Sequence, residues 1–314
     1  MNMVSGRRNM LLTLLTAVTV LLLFSSCSIQ QYAVNRISDA LTGEGSSQVF
    51  MGDNDPALVG DALPFAIKMY ETLLQQNPEH LELIETTGSL YIMYANGFIQ
   101  TPAELSEPEE FESKFDAYSR AKNLYLRGRD MLGRALELRH PGILKAVESG
   151  EEVERYAAEL EMQDVGLVYW YAAGWFAAAS IDSFDMKIGF RLPAVLTLLN
   201  AVYRLDPDYS NGSIEELFIS VYASLPQGMG GDVEKAEKAF ARAVEIQQGS
   251  SAGPYVSLAL SVALPAQDVE RFIELMEKAL EIPVEEYPEN ILLNTIQQRK
   301  ARWYLDHLDD FFLL

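Results

Sequence analysis

A general base beside a nucleophile, a set of imidazole or thiolate ligands, or a glycine loop over a phosphate each leaves a spaced signature. This chain has few residues able to write one: three histidines and one cysteine in 314 residues. A single cysteine excludes an intrachain disulfide and a cysteine-cluster metal site. Glu137-Leu138-Arg139-His140 has the Glu-x-x-His spacing of carboxylate-bridged di-iron bundles, which sets both side chains on one side of a helix. A second copy is missing and Pro141 follows at once, so the tetrad reads as a helix C-terminus with a favourably placed His. Asp53, Asp55 and Asp61 lack the twelve-residue spacing of a calcium loop, and Asp is common at helix starts. Gly228, Gly230 and Gly231 follow no strand, as a phosphate loop would require, and read as a flexible turn between helices. The G-x-x-x-x-G-K-[ST], H-E-x-x-H and G-x-S-x-G patterns do not occur. Acids are so abundant that no pair stands out for an enzyme acting on envelope polymers. No catalytic residue, metal ligand or cofactor is expected.

Two features remain. The first is aromatic: Tyr169, Trp170, Tyr171, Trp175 and Phe176 fall on one helical segment. Tyr171 and Trp175 are four apart and share a face, while Trp170 lies about 100° round. The segment is either a central helix buried on all sides or the wall of an apolar cavity or tunnel. If a tunnel exists, Tyr94, Trp170, Tyr171 and Trp175 are the residues expected near it. The second is Cys27. Arg7 and Arg8 precede an apolar run from Met10 to Phe24, and Leu23-Phe24-Ser25-Ser26-Cys27 resembles a bacterial lipobox. It departs from the usual form in having Phe three before the Cys and Ser directly before it. Residues 1–26 are expected to be a lipoprotein signal peptide, with Cys27 lipidated and the protein tethered to a bacterial membrane in the periplasm. A cleaved soluble protein with an incidental cysteine is the alternative. No other apolar run is expected to approach membrane length.

The elements that must position anything follow from composition. The chain is 49% apolar and 22% charged, a globular balance. Its formal net charge of -21 repels phosphate, so nucleic acid is not an expected partner. After a short helix near 29–41 and a Gly/Ser linker, nearly everything reads as helix: 58–76, 80–98, 110–139, 152–182, 191–205, 212–224, 232–247, 253–263, 267–281 and 289–310. The chain is all-α, with residues 27–55 as lipidated Cys and tether and 56–314 as one domain. Ala66, Tyr70, Leu73 and Pro78 have the spacing of the second helix of a tetratricopeptide unit, and Gly88 and Tyr91 fall in phase for the next unit. Ala236, Phe240 and Ala243 fit in part. These indicate degenerate TPR-like helical hairpins in a single right-handed array with long insertions. The apolar tail Phe311-Phe312-Leu313-Leu314 is either docked on the body or part of a subunit interface.

In order along the chain stand Cys27, Asp55-Pro56, Asp61 to Ala66, Gly88 to Tyr94, Tyr125-Leu126-Arg127-Gly128-Arg129 and Trp170 to Trp175. Then come Leu205-Asp206-Pro207-Asp208-Tyr209, Gly231 to Ala243, Gln267-Asp268, Leu292-Leu293-Asn294 and Arg299 to Trp303. In this order and spacing the chain resembles the T component (TatT) of tetratricopeptide-repeat-protein-associated TRAP transporters. The resemblance implies a non-catalytic periplasmic lipoprotein that forms homotrimers and pairs with the substrate-binding P component. It implies that a small ligand, hydrophobic or carboxylate, passes through, and it carries no established binding residues. A TPR lipoprotein scaffold for envelope assembly, binding peptide segments, is the alternative.

Overall fold

The computed structural model describes residues 48–107 and 110–313. The signal segment, Cys27 and the 29–41 helix lie outside the described residues.

Among the described residues the regular structure is helical. The principal helices are α1 (Pro56–Gln76), α2 (Leu81–Ala95), α3 (Phe111–Arg139), α4 (Val165–Ile181) and α5 (Leu192–Leu205). They continue as α6 (Tyr209–Ser224), α7 (Val233–Gln247), α8 (Gly253–Leu258), α9 (Val269–Glu281) and α10 (Ile291–Asp306). Local chemistry sets the ends. Asp55 caps α1 by accepting from the N–H groups of Ala57 and Leu58, and Pro56 takes the first helical position, where its missing N–H costs nothing. Asp232 and Asp268 cap α7 and α9 in the same way. Thus the aspartate near the start of α1 is a cap, as its type suggests.

Two expected helices differ in their course. The 152–182 stretch breaks into Val153–Glu159, a 3₁₀ turn at Met162–Asp164, and α4. The cause is Asp164, 1% exposed, whose carboxylate accepts from the Glu161 N–H while bonding Arg139 and His140. A capping box at this point starts a new helix in a new direction. The 80–98 stretch is helical as expected but changes pitch: α2 passes into a π-helical turn, Asn96–Gln100, and the helix runs on to Glu104. A third expectation is corrected: Met186–Leu205 is apolar and long enough to cross a membrane by length and composition. It is a short helix, Met186–Gly189, and then α5, half of it buried in the body.

Hairpin-like pairs run along the chain, consistent with degenerate repeats: α1 with α2, α2 with α3, α6 with α7. The tightest crossing is between α2 and α3 at Gly88 and Gly128. A Cβ on Gly128 would lie 2.6 Å from the Gly88 carbonyl oxygen, and one on Gly88 would lie 2.7 Å from Leu132 Cγ. Only glycine lets these backbones approach. α4 packs on α3, α2, α5 and α6, which explains why it is apolar all round.

The array also closes on itself. α10 packs on α9 and α8, and reaches back to α1 and to the helical turn Gln48–Met51. Lys300 on α10 pairs with Glu104, and Gly97 lies against Ile296. The tail is docked on the body through Phe312, which is 5% exposed and sits edge-on to Phe272, centroids 5.0 Å apart, while Leu313 is left exposed. Gln267 holds it, donating to the Phe311 carbonyl at 3.0 Å and accepting from the Leu313 N–H.

Candidate functional site

Closure leaves a cavity of about 2110 Å³ between α1, α2, α4, α6, α8 and α10. That exceeds the few hundred to a thousand Å³ of an ordinary small-molecule site. Its walls mix apolar side chains such as Phe176, Leu217, Val256 and Leu260 with a run of serines on α6 and α8.

One pole is the most polar. It is built where α6, α7 and α8 meet. The turn into α6 carries three successive residues with positive φ, Ser210 (47°), Asn211 (55°) and Gly212 (83°). Two of these are not glycine, a backbone cost that persists only where surrounding structure imposes it. The turn brings Tyr209, Ser210 and Asn211 to the cavity wall, and one helical turn on stand Ser213 and Glu216. Opposite, α7 ends at Gln247, the loop to α8 carries Ser250, and Gly253 opens α8. Asn294 of α10 fixes that loop. Fully buried, it donates to the Ser250 carbonyl at 2.9 Å and accepts from the Ala252 N–H at 2.9 Å.

Glu216 sits on this pole with its carboxylate over Gly253, where an added Cβ would lie 2.1 Å from Oε1. Burial pushes its carboxyl up to about 7, against an opposing hydrogen bond from Gln247. Glu85 faces the same cavity, its Oε1 over Gly166 beside the Tyr209 hydroxyl. Burial raises it too; Arg139 opposes the shift, and Glu82 and Asp164 add to it. Burial raises the phenol of Tyr209 to about 12 and that of Tyr169 further, so both stay protonated donors. Their rings are 5.4 Å apart.

The structure divides the four aromatic candidates. Trp170 lines the cavity, together with its neighbour Tyr169. Tyr171 and Trp175 are not among the lining residues; they are 3% and 7% exposed. Their rings meet edge to face at 6.2 Å, and the Arg129 guanidinium lies 4.2 Å from the Trp175 centroid. Tyr94 is also off the cavity wall. It stacks on Phe98 and lies beneath Arg120 of α3, while Met93 and Asn96 on either side reach the wall. Sequence reasoning missed Glu216, Glu85, Gln247 and Gln297. The signal available was a pair of acids in each of two largely apolar helices, Glu82 and Glu85 in α2 and Glu215 and Glu216 in α6, and abundance of acids masked it.

The remaining motifs have structural partners. Glu137 accepts from the Gly142 and Leu144 N–H groups, capping Ile143–Ser149, while His140 turns to Asp164 at 3.0 Å. Burial alone would raise Asp164; the Glu161 N–H, Arg139 and His140 outweigh it and hold that carboxyl low. The glycine turn at 228–231 is tighter than a flexible linker. A Cβ on Gly231 would lie 1.7 Å from the Leu225 carbonyl oxygen, and the Asp232 N–H donates to Tyr222.

An uncharacterized protein of Treponema pallidum (strain Nichols) is 34% identical over 306 residues, covering 93% of this chain and 95% of its own. A family model described as TRAP transporter T-component matches residues 52–312. The chain belongs to the TRAP transporter T-component family. As a T component it is an accessory part of a TRAP transport system. The match spans α1 through α10 of this T component and ends at Phe312.

Proposed function

We propose that this T component is a non-catalytic periplasmic lipoprotein, anchored through acyl chains on Cys27, that binds the substrate-binding P component of its transporter. It does so as a homotrimer, and a small ligand passes through its cavity on the way to or from that partner. The observation that carries this reading is a cavity large enough to admit a small ligand inside a member of a transport family. The surface supports it. Phe65, Phe184 and Phe190 are 75%, 90% and 73% exposed, and Phe111 and Phe115 stand four apart on the outer end of α3. Large apolar side chains held in water at several places favour partner surfaces over a solitary monomer.

The test is light scattering on the full chain in mild detergent, alone and mixed with the binding protein encoded beside it. A trimer that gains mass on mixing is the expected result. A monomer that ignores the binding protein would overturn the reading and favour an envelope-assembly scaffold.

A further inference from the structure

We propose that one end of the molecule rests on the bilayer: the turn at 182–191, which links α4 to α5, dips Phe184, Met186 and Phe190 into the interface of a zwitterionic lipid surface. These side chains are 90%, 61% and 73% exposed. The turn that carries them is held firmly. Lys122 of α3 donates to Asp182 at 2.8 Å and to Asp185 at 2.9 Å. Asp185 also caps the helix Met186–Gly189 by accepting from the Lys187 N–H, and Ile188 is buried. Arg191 closes the turn by pairing with Glu148. Pinned in this way, the turn presents its three apolar side chains outward. Met186 and Phe190 also reach the cavity wall, so the turn forms part of the cavity's rim.

A second apolar group stands on the same side. Phe111 and Phe115 open α3, 72% and 63% exposed. Phe111, Phe115 and Lys122 are spaced four and seven apart, which puts all three on one face of α3, the face that meets the turn. What covers this end follows from charge and from the tether. The chain carries a net charge of -21, yet at the turn Lys122 answers two carboxylates, Arg191 answers Glu148, and the exposed Lys187 adds a further positive charge. Charges matched in this way are the ones an apolar surface can carry into a lipid interface. Glu110 and Glu112 flank Phe111, so an anionic leaflet is disfavoured and a zwitterionic one suits. A protein partner would need a pocket for each separate protruding ring, whereas a lipid interface takes them at any spacing. Residues 28–47 separate Cys27 from the described body, which keeps the body within about 70 Å of the bilayer at full extension. A body so confined meets lipid at an effective concentration on the order of mM, so a weak apolar contact is enough to choose the face it presents. Phe65, on α1, is left to the protein partners.

This contact rests on the reading of Cys27 as the anchor, and on no other part of the transport reading. The experiment uses the full lipidated chain in phosphatidylcholine vesicles, with an environment-sensitive nitrobenzoxadiazole label on an introduced thiol. Cys27 is the one cysteine of the chain and its sulfur is taken by the anchor, so Ser183→Cys, beside Phe184, is labelled alone. Met162→Cys is the control: that side chain is 60% exposed and precedes α4, whose 17 residues put it about 25 Å from the turn. On reconstitution the label at 183 should brighten roughly twofold, and acyl-chain-brominated lipid should quench it roughly threefold more than the label at 162. Phe184→Asp with Phe190→Asp changes two exposed side chains, so the chain should fold, and both effects should vanish. Replacing part of the lipid with phosphatidylglycerol should weaken them. A label at 183 that stays in water would overturn the proposal. So would one that is shielded but not quenched by brominated lipid, since protein would then cover the turn. Vesicle flotation reads the anchor separately. A chain that floats while its label stays in water defeats the membrane contact and leaves the Cys27 reading intact; a chain that does not float defeats the Cys27 reading and this contact with it.

Discussion

Trp175 and Glu216 show how differently two buried side chains can be used. The Trp175 ring is packed against Tyr171 and roofed by Arg129, off the cavity wall. Trp175→Ala should therefore cost about 3–5 kcal/mol of stability, the usual range for truncating a core tryptophan. Urea denaturation checks this; a folded variant of near-native stability would restore the ligand-wall reading for that residue. Glu216 is the opposite case. Its carboxyl is raised from 4.5 to about 7 by burial. The groups acting on it are the Gln247 amide and the Tyr169 phenol, and neither carries positive charge at neutral pH. Between pH 4.5 and 7 the folded chain holds a proton that the unfolded chain has released, so stability falls as pH rises through that window. Above pH 7 the penalty levels off, at about 3 kcal/mol for a shift of this size. Glu216→Gln should be more stable than wild type at pH 8, equal to it near pH 4, and flatter between. Thermal melts across that range test it; parallel curves for the two proteins would mean Glu216 is not desolvated in the folded state.

The elements divide along the same line between what local sequence specifies and what it does not. α2 and α3 meet through two glycines, and Gly128→Ala would drive a methyl to 2.6 Å from a backbone oxygen that cannot move alone. Overpacking of this kind costs about 1–3 kcal/mol, and more where backbone must separate. Chemical denaturation should show at least that loss, and Gly150→Ala, where the added Cβ meets nothing but φ is +74°, should cost less. Helix limits were legible wherever a cap decides them: Asp55, Asp232 and Asp268 mark their helices within a residue or two. The break at 160–164 and the change of pitch at 96–100 were not legible. Asp164 stops one helix by bonding Arg139 at the end of α3 and His140 just beyond it, a contact that periodicity cannot report. The aromatic segment was legible as buried, because an all-apolar helix has to be surrounded. Which of its faces opens on a cavity was not, since Trp170 and Tyr171 are adjacent in sequence and differ only in which neighbours the fold places beside them.

At the scale of the whole molecule the decisive contact is between the first and last helices. Short-range hairpins alone would give an open array, and the cavity exists because α10 returns to α1 and Gln48–Met51. The sequence could not show this, because hydrophobic periodicity tells which face of α10 is buried and not what covers it. At the seam Lys300 pairs with Glu104, each side chain mostly out of water, and His307 stands 3.7 Å from Glu107. Removing one member of such a pair strands the other charge, which costs about 3–5 kcal/mol when burial is complete and less when a cavity admits water. Lys300→Ala should thus loosen the seam more than the body. In native-state hydrogen exchange, α10, the 48–51 turn and the 96–104 segment should lose protection, while the glycine-crossed pair α2–α3 keeps it. Lys300→Ala with Glu104→Gln should recover much of the loss, because the stranded charge is gone. Uniform loss across every helix would show that the ring opens only by unfolding altogether. Selective loss would identify the seam as the part of the wall that can part without dismantling the rest, and a ligand moving through the cavity would have its passage there.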